Sequence, residues 1–304
     1  MKFTVAQHEN DWRLDQFLVE HSGLSRSQLS KFIKQDRVKI DGKIAKKAGQ
    51  TLSEGQCVYF SKPKDESPYV LAEEGALEII YEDEDLMVIN KPAGLVTHPA
   101  PGNRSGTLAN LIKGHLSKEL TQVQGFVRPG IVHRLDKYTS GLMVVAKNAA
   151  SQKNLANQFK ERTVHKIYVS LVAGQLNPRE GKIDAPIMRD EVNRQKMMVS
   201  ALAEARSAVT HYKVLAYYPG YTLLELRLEQ GRTHQIRVHL NSIGFPVVGD
   251  QVYGREQINK AIGLKRQFLH AAKISFQHPA DGRTMTFESP LPPELEAVLE
   301  SFKA

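Results

Sequence analysis

Ile131-Val132-His133-Arg134-Leu135-Asp136-Lys137-Tyr138-Thr139-Ser140-Gly141 runs straight into Leu142-Met143-Val144-Val145-Ala146. The second part is aliphatic on both faces and only long enough for a buried strand. The first part is polar, gathered around one carboxylate and closed by Gly141. Asp136 therefore belongs to a loop feeding a sheet, where a rigid scaffold can aim it. Taken alone, the cluster equally fits a structural ion pair with a hydrogen-bonded histidine.

On both sides of this stretch short strands alternate with helices and turns. Residues 86–89, 167–172 and 223–228 read as further strands, and 151–162 as a helix with Leu155 and Phe159 one turn apart. Regular structure begins near Leu77-Glu78-Ile79-Ile80. There is no Gly-rich phosphate loop, no repeat of solenoid period and no low-complexity tract. The order predicts an α+β domain with a mixed, largely antiparallel sheet flanked by helices and loops, not a doubly wound parallel one.

A second polar cluster follows the 223–228 strand: Gln230-Gly231-Arg232-Thr233-His234-Gln235-Ile236-Arg237-Val238-His239-Leu240. Thr233 is placed to cap a helix, with Arg237 one turn inside it and Ile236 and Leu240 on its apolar side. A cation facing a buried carboxylate would account for so many polar groups, because an arginine beside Asp136 favours its ionised form. Between the clusters, Lys166-Ile167-Tyr168-Val169 alternates so that Tyr168 faces away from Ile167, Val169 and Leu171. It points either to a second core layer or into a cleft, and periodicity favours the core.

The first sixty residues read as a separate unit. Leu14, Phe17 and Leu18 mark one helix; Ser25 stands at the N-cap of a second, with Leu29, Phe32 and Ile33 at helical spacing. Val38-Lys39-Ile40 and Lys43-Ile44 flank Asp41-Gly42, a strong hairpin signal. From Arg26 to Lys47 there are eight cations and two anions. The whole chain carries a formal net charge of +8, and this concentration points to a polyanionic partner. The alternative is a small α+β domain with a solvated lysine face. Lys62-Pro63-Lys64-Asp65-Glu66-Ser67-Pro68 mixes prolines and charges, as linkers do.

Composition bounds the rest. At 41% hydrophobic and 24% charged residues the chain is globular, and its 304 residues suggest about two domains. The single cysteine, Cys57, excludes an intrachain disulfide and fits a reducing, cytoplasmic setting. Met1 to Glu9 has no apolar core behind its lysine, so no secretory signal is expected. No aliphatic run is long enough to span a bilayer. The spacing of His98, His234, His239 and His270 matches no compact metal motif, and hydrogen-bonded structural histidines are expected.

Residues 12–60 resemble the S4 RNA-binding domain, on Arg13-Leu14-Asp15, Ser25-Arg26-Ser27 and Val38-Lys39-Ile40-Asp41-Gly42-Lys43. His133-Arg134-Leu135-Asp136 with Thr139-Ser140-Gly141 resembles the signature of the RluA-type pseudouridine synthases. Asn90-Lys91-Pro92-Ala93-Gly94, His98-Pro99, Lys166-Ile167-Tyr168, Gly231 to His239, Gly249-Asp250-Gln251-Val252-Tyr253-Gly254 and Leu269-His270-Ala271 follow in that family's order. The whole is most similar to its large-subunit ribosomal RNA synthases, with Tyr138 where relatives often carry an acidic residue. The resemblance implies an S4-like domain at 12–62, a linker at 63–76 and a catalytic domain at 77–304.

The resemblance further implies Asp136 as the catalytic carboxylate, Arg237 as its partner and Tyr168 against the uracil. Arg134 would occupy the space left by the flipped base, and Ile236 would pack on that base. His133, Lys166 and Gln235 would support substrate binding. Arg26, Lys31, Lys34, Arg37, Lys39 and Lys43 would grip RNA phosphates. The implied reaction is an isomerisation that needs no cofactor, metal or nucleotide. Its implied substrate is ribosomal RNA or an assembling large subunit, acted on by a monomer. A transfer RNA synthase and a non-catalytic ribosome-assembly factor are the alternatives. An S4-bearing methyltransferase would need a glycine-rich methyl-donor loop that the sequence lacks.

Overall fold

The computed structural model describes residues 1–22, 24, 26–61, 70–99, 103–116 and 130–303. They form two units, Met1–Pro68 and Tyr69–Ala304. In the first unit the elements are β1 (Lys2–Thr4), α1 (Leu14–Ser22), α2 (Arg26–Lys34), β2 (Val38–Ile40), β3 (Lys43–Ile44) and β4 (Cys57–Phe60). The strands pair antiparallel in the order β1-β4-β2-β3.

The expected helical spacing is realised in this unit. Leu14, Phe17 and Leu18 of α1 and Leu29 and Ile33 of α2 are buried against Val38, Ile40, Val58 and Phe60 of the sheet. Each such side chain contributes about 1.5–3 kcal/mol when fully buried, so this cluster holds the unit together. Asp41 and Gly42 both adopt positive φ, +49° and +79°, as a tight hairpin of this hand demands. Lys39 projects outward between buried Val38 and Ile40, and Lys31, Lys34 and Lys43 are exposed. Ser25, expected as the second helix's N-cap, lies outside the described residues, as do positions 63–69 of the expected linker.

The second unit contains β5 (Ile79–Glu82), β6 (Leu86–Lys91), α3 (Leu108–His115), β7 (Ser140–Ala146), α4 (Ala149–Glu161) and β8 (His165–Ala173). Next come β9 (Glu180–Asp184), β10 (Ile187–Arg189), β11 (Met197–Val199), β12 (Val209–Tyr218) and β13 (Tyr221–Leu228). The chain then forms α5 (Gln235–Ser242), α6 (Glu256–Ile262), β14 (Leu269–Gln277), β15 (Thr284–Glu288) and α7 (Pro293–Glu300). Nine strands make one sheet in the order β5-β6-β7-β14-β8-β13-β12-β9, with β15 added on β14. Only β7 and β14 pair in parallel, and β10 and β11 form a separate hairpin. This is the mixed, largely antiparallel sheet expected from the sequence.

The sheet forks at β14. His270 and Ala271 pair with Ser140 and Gly141 of β7, whereas residues 273–277 pair with β15. Gly141 makes the first pairing possible: its φ is +116°, and a Cβ there would fall 2.3 Å from the Ala271 carbonyl oxygen. All seven residues of β7 are buried. Met143 and Val145 face one core cluster, and Leu142, Val144 and Ala146 face another. The Met143 face also holds Tyr168 of β8, Leu224 and Leu226 of β13, and Ile236 and Leu240 of α5. Helix α5 therefore packs on the same side of the sheet as Tyr168.

Two local expectations are corrected. Helix α5 begins at Gln235, and its N-cap is His234, not Thr233. His234 is left-handed (φ +56°), so the chain does not enter the helix through the extended residue that a side-chain cap needs. Arg237 consequently sits in the first turn. Helix α4 spans Ala149–Glu161, capped by the Asn148 side chain, and Arg162 ends it in a left-handed conformation. No helix among the described residues is long and apolar enough to cross a membrane.

Candidate active site

The loop before β7 is held by its own carbonyls. Leu135 O accepts from Thr97 Oγ1 at 2.9 Å and Asp136 O from the Thr139 amide at 3.1 Å. Lys137 O accepts from the Gly94 amide (2.8 Å) and from Lys91 Nζ (3.2 Å), and Tyr138 O from Arg266 Nη1 (3.2 Å). Four consecutive peptide groups are thus tied to the 91–97 segment, to the loop itself and to the residue block before β14. Asp136 has little backbone freedom as a result.

Lys91 is buried at the end of β6 and donates to the carbonyls of Pro92 (2.8 Å), Leu95 (3.0 Å) and Lys137. Burial lowers its pKa to about 7; the charge of Asp136 pulls it back up and Arg266 pushes it further down. Arg266, also buried, reaches Ser140 Oγ (3.2 Å) and Glu294 of α7 (2.7 Å) as well as Tyr138.

The carboxylate of Asp136 is partly exposed, and its Oδ2 accepts from Arg237 Nη1 at 3.0 Å. Oδ1 makes no hydrogen bond among the described residues. Arg237 turns its Nε and Nη2 to Asp250, at 2.6 and 2.9 Å. Asp250 is 1% exposed and also accepts the amides of Val252 (2.8 Å) and Tyr253 (3.1 Å). Burial alone would lower the pKa of Arg237, but Asp250 and then Asp136 push it upward. Burial likewise works to raise Asp250, and the Arg237 bonds and charge outweigh it and hold the carboxyl ionised.

His234 Nε2 lies 3.9 Å from Asp136 Oδ2, and its Nδ1 lies 2.9 Å from the Tyr253 hydroxyl. That hydroxyl also accepts the Met197 amide at 2.7 Å. When it donates its own proton to Nδ1, the neutral ring carries its proton on Nε2, facing Asp136.

Asp136, Tyr168, Arg134, Ile236, Gln235 and Arg237 line one cavity of about 60 Å³. Tyr168 comes from β8, where it pairs with Leu226 on one side and Ala271 on the other. Burial, then the charge of Asp136, raises its pKa, so it stands as a neutral phenol. Ile236 is buried and apolar, whereas Arg134 is exposed at the rim. Gln235 has both ends of its amide in use: Nε2 donates to Val209 O (3.0 Å) and Thr210 Oγ1 (3.2 Å), and Oε1 accepts the Arg232 amide (2.9 Å).

His133 and Lys166 line an adjoining cavity and not this one. His133 Nε2 accepts the Val144 amide at 3.0 Å, and its ring stacks on Phe159 at 4.5 Å. His239 bonds Thr210 Oγ1 and Ala185 O, and His270 bonds Ser140 Oγ and Ser289 O. In the first unit Arg26, Lys31, Lys34, Lys39 and Lys43 are exposed and Arg37 is half-buried. Arg26 also approaches Asp15 to 3.9 Å.

Lys91, Asp250 and Arg266 escaped sequence reasoning as site residues. Lys91 and Asp250 stand within family-like segments, but nothing local marks them as partners of this loop. Arg266 carries no signal in its own neighbourhood.

The family model described as RNA pseudouridylate synthase matches residues 85–242, and the S4 domain model matches residues 12–57. An uncharacterized RNA pseudouridine synthase of Bacillus subtilis is 42% identical over 301 residues, 99% of this chain and 97% of that protein. Ribosomal large subunit pseudouridine synthase D of Zymomonas mobilis is 38% identical, over 98% of this chain and 96% of that protein. The structure is similar to Human RNA Pseudouridylate Synthase Domain Containing 1, with TM-score 0.59 and 28% identity. That similarity covers 74% of this chain and 90% of the human chain.

Proposed function

This chain belongs to the RNA pseudouridylate synthase family, and we propose that it isomerises uridines of large-subunit ribosomal RNA, with Asp136 as the catalytic carboxylate. Full-length likeness to a protein named ribosomal large subunit pseudouridine synthase D, S4 segment included, supports that substrate. One observation carries the catalytic assignment. Arg237 pins Oδ2 of Asp136 at 3.0 Å, Oδ1 accepts no hydrogen bond among the described residues, and Asp136 lines one cavity with Tyr168 and Ile236.

The reaction breaks the N1–C1′ bond, turns the uracil and rejoins it through C5, with a proton lost from C5 and one gained at N1. In this reading Oδ1 either adds to C1′ or assists departure of the base. Arg237 stops the carboxylate rotating through its 3.0 Å bond to Oδ2, and Asp250 fixes Arg237 in turn. Taking the uridine out of its stack costs a few kcal/mol. The face of Tyr168 and the side chain of Ile236 recover part of this, since base stacking on an aromatic ring contributes about 1–3 kcal/mol. In this reading Arg134, exposed at the rim, fills the gap left in the RNA.

Pseudouridine mapping of total RNA, with and without the protein, tests the substrate. Loss of sites in large-subunit ribosomal RNA is expected; loss confined to transfer RNA would replace the ribosomal assignment. Asp136→Asn should end turnover while RNA affinity shifts by less than about threefold, under 1 kcal/mol. Wild-type turnover in that variant would remove Asp136 from the chemistry.

A further inference from the structure

The Asp136 cavity shares Arg134, Tyr168, Gly231 and Arg232 with a second cavity of about 490 Å³. The second is walled by the end of α4, the start of β8, the loop before β7 and the turn after β13. Its charged lining consists of Arg134, Lys160, Arg162, Lys166 and Arg232 against a single carboxylate, Glu229. Glu229 is already engaged, by His211 Nε2 at 2.9 Å and Arg162 at 3.9 Å. Arg134, Lys160 and Lys166 form no ion pair among the described residues. Crowding like charges around one hollow is unfavourable unless an anion occupies it.

The lining also indicates which part of an RNA would enter. Phe159 is the aromatic ring most obviously suited to stack a base, and it is already taken. His133 stacks on it at 4.5 Å, and the Lys166 ammonium sits 5.3 Å from its centre. His133 adds no charge, because burial and then Lys166 hold its pKa down at about 3. What the cavity offers a ligand is cationic hydrogen-bond donors, which suit phosphate oxygens.

We infer that this second cavity binds the phosphodiester backbone next to the target uridine, through Lys160, Arg162, Lys166 and Arg232. The inference rests on the Asp136 cavity receiving the uracil. The base would enter one hollow while the flanking phosphates are held in its neighbour, so the strand is gripped at the point where it must distort. This site differs from the S4-like cations, which belong to the other unit.

The test compares wild type with Lys160→Gln/Arg162→Gln, two exposed positions at a helix end whose change leaves the core intact. The substrate is an unmodified large-subunit ribosomal RNA transcript, partially ethylated on its phosphates. Each phosphate contact on a single strand changes log K by about 0.7 per decade of salt, so two lost contacts weaken binding about 25-fold at 0.1 M relative to 1 M. KM should rise by about that factor and its salt slope should flatten by about 1.4, with kcat at saturation little changed.

Ethylation within one or two nucleotides of the isomerised uridine should block the wild type and no longer discriminate in the double variant. An identical interference pattern in both proteins, or an unchanged salt slope, overturns the inference. If the wild type acts neither on this transcript nor on large-subunit precursor particles, the ribosomal substrate is wrong. The same comparison is then run on total RNA from cells lacking the protein, and it decides the phosphate site independently.

Discussion

Asp250→Asn is the perturbation that most directly probes how Arg237 is held. Asp250 supplies two of the three carboxylate contacts to the guanidinium, at 2.6 and 2.9 Å, and the ion pair is almost fully buried. Asparagine keeps the shape and can still accept the amides of Val252 and Tyr253, but it removes the charge. Arg237 is then left buried with only Asp136 opposite it. Breaking a buried pair from one side costs about 3–5 kcal/mol. For a unit of this size about 1 kcal/mol moves Tm by 2–4 °C, so a fall of about 6–20 °C is expected.

The two units can be watched separately. Nine of the ten tyrosines lie in Tyr69–Ala304 and the only tryptophan, Trp12, lies in Met1–Pro68. Near-ultraviolet tyrosine dichroism should show the fall in Tm, while Trp12 fluorescence serves as the internal reference. Arg237→Met added to Asp250→Asn should restore part of the lost stability, because the orphaned charge is gone. Turnover should be lost in that double variant, because Asp136 no longer has a guanidinium opposite it. A single variant melting within about 2 °C of wild type, with full turnover, would show that Asp250 does not hold Arg237.

Two further outcomes are expected. The folded pKa of Lys91 is lowered to about 7 from its ordinary 10.5, so between those values the unfolded chain binds this proton more tightly. Its contribution to stability therefore increases as pH rises from about 7 toward 10.5, and the urea midpoint of wild type should rise relative to that of Lys91→Met between pH 6.5 and 9.5. A wild-type-minus-variant difference that stays constant or falls over that interval would contradict the burial argument. In the S4-like unit, Lys34→Glu with Lys39→Glu should weaken RNA binding and flatten the salt dependence by about 0.7–0.9 per lost contact. An unchanged slope in filter binding would take this exposed face out of the RNA interface.

Periodicity and residue chemistry made much of this protein legible. The aliphatic run at 142–146 announced a strand covered on both faces, and Asp41-Gly42 announced its hairpin. Tyr168 and Arg237 received their roles through the family resemblance, whereas Leu14, Phe17, Leu29 and Ile33 marked buried helix faces by spacing alone. These signals are local, because a side chain's burial within one helix or strand follows from its spacing to near neighbours.

Which charges meet was not local. Asp136 and Arg237 are 101 residues apart, Arg266 and the Tyr138 carbonyl 128, and Lys91 and the Lys137 carbonyl 46. Those distances close only because β14 enters the sheet between β7 and β8 and because α5 packs on the Tyr168 face. Even at short range, the left-handed turn at His234 displaced the expected Thr233 cap and brought the Nε2 of His234 round to face Asp136. A chain's spacing specifies which surfaces must be buried; the pairing of strands specifies which ions share the burial.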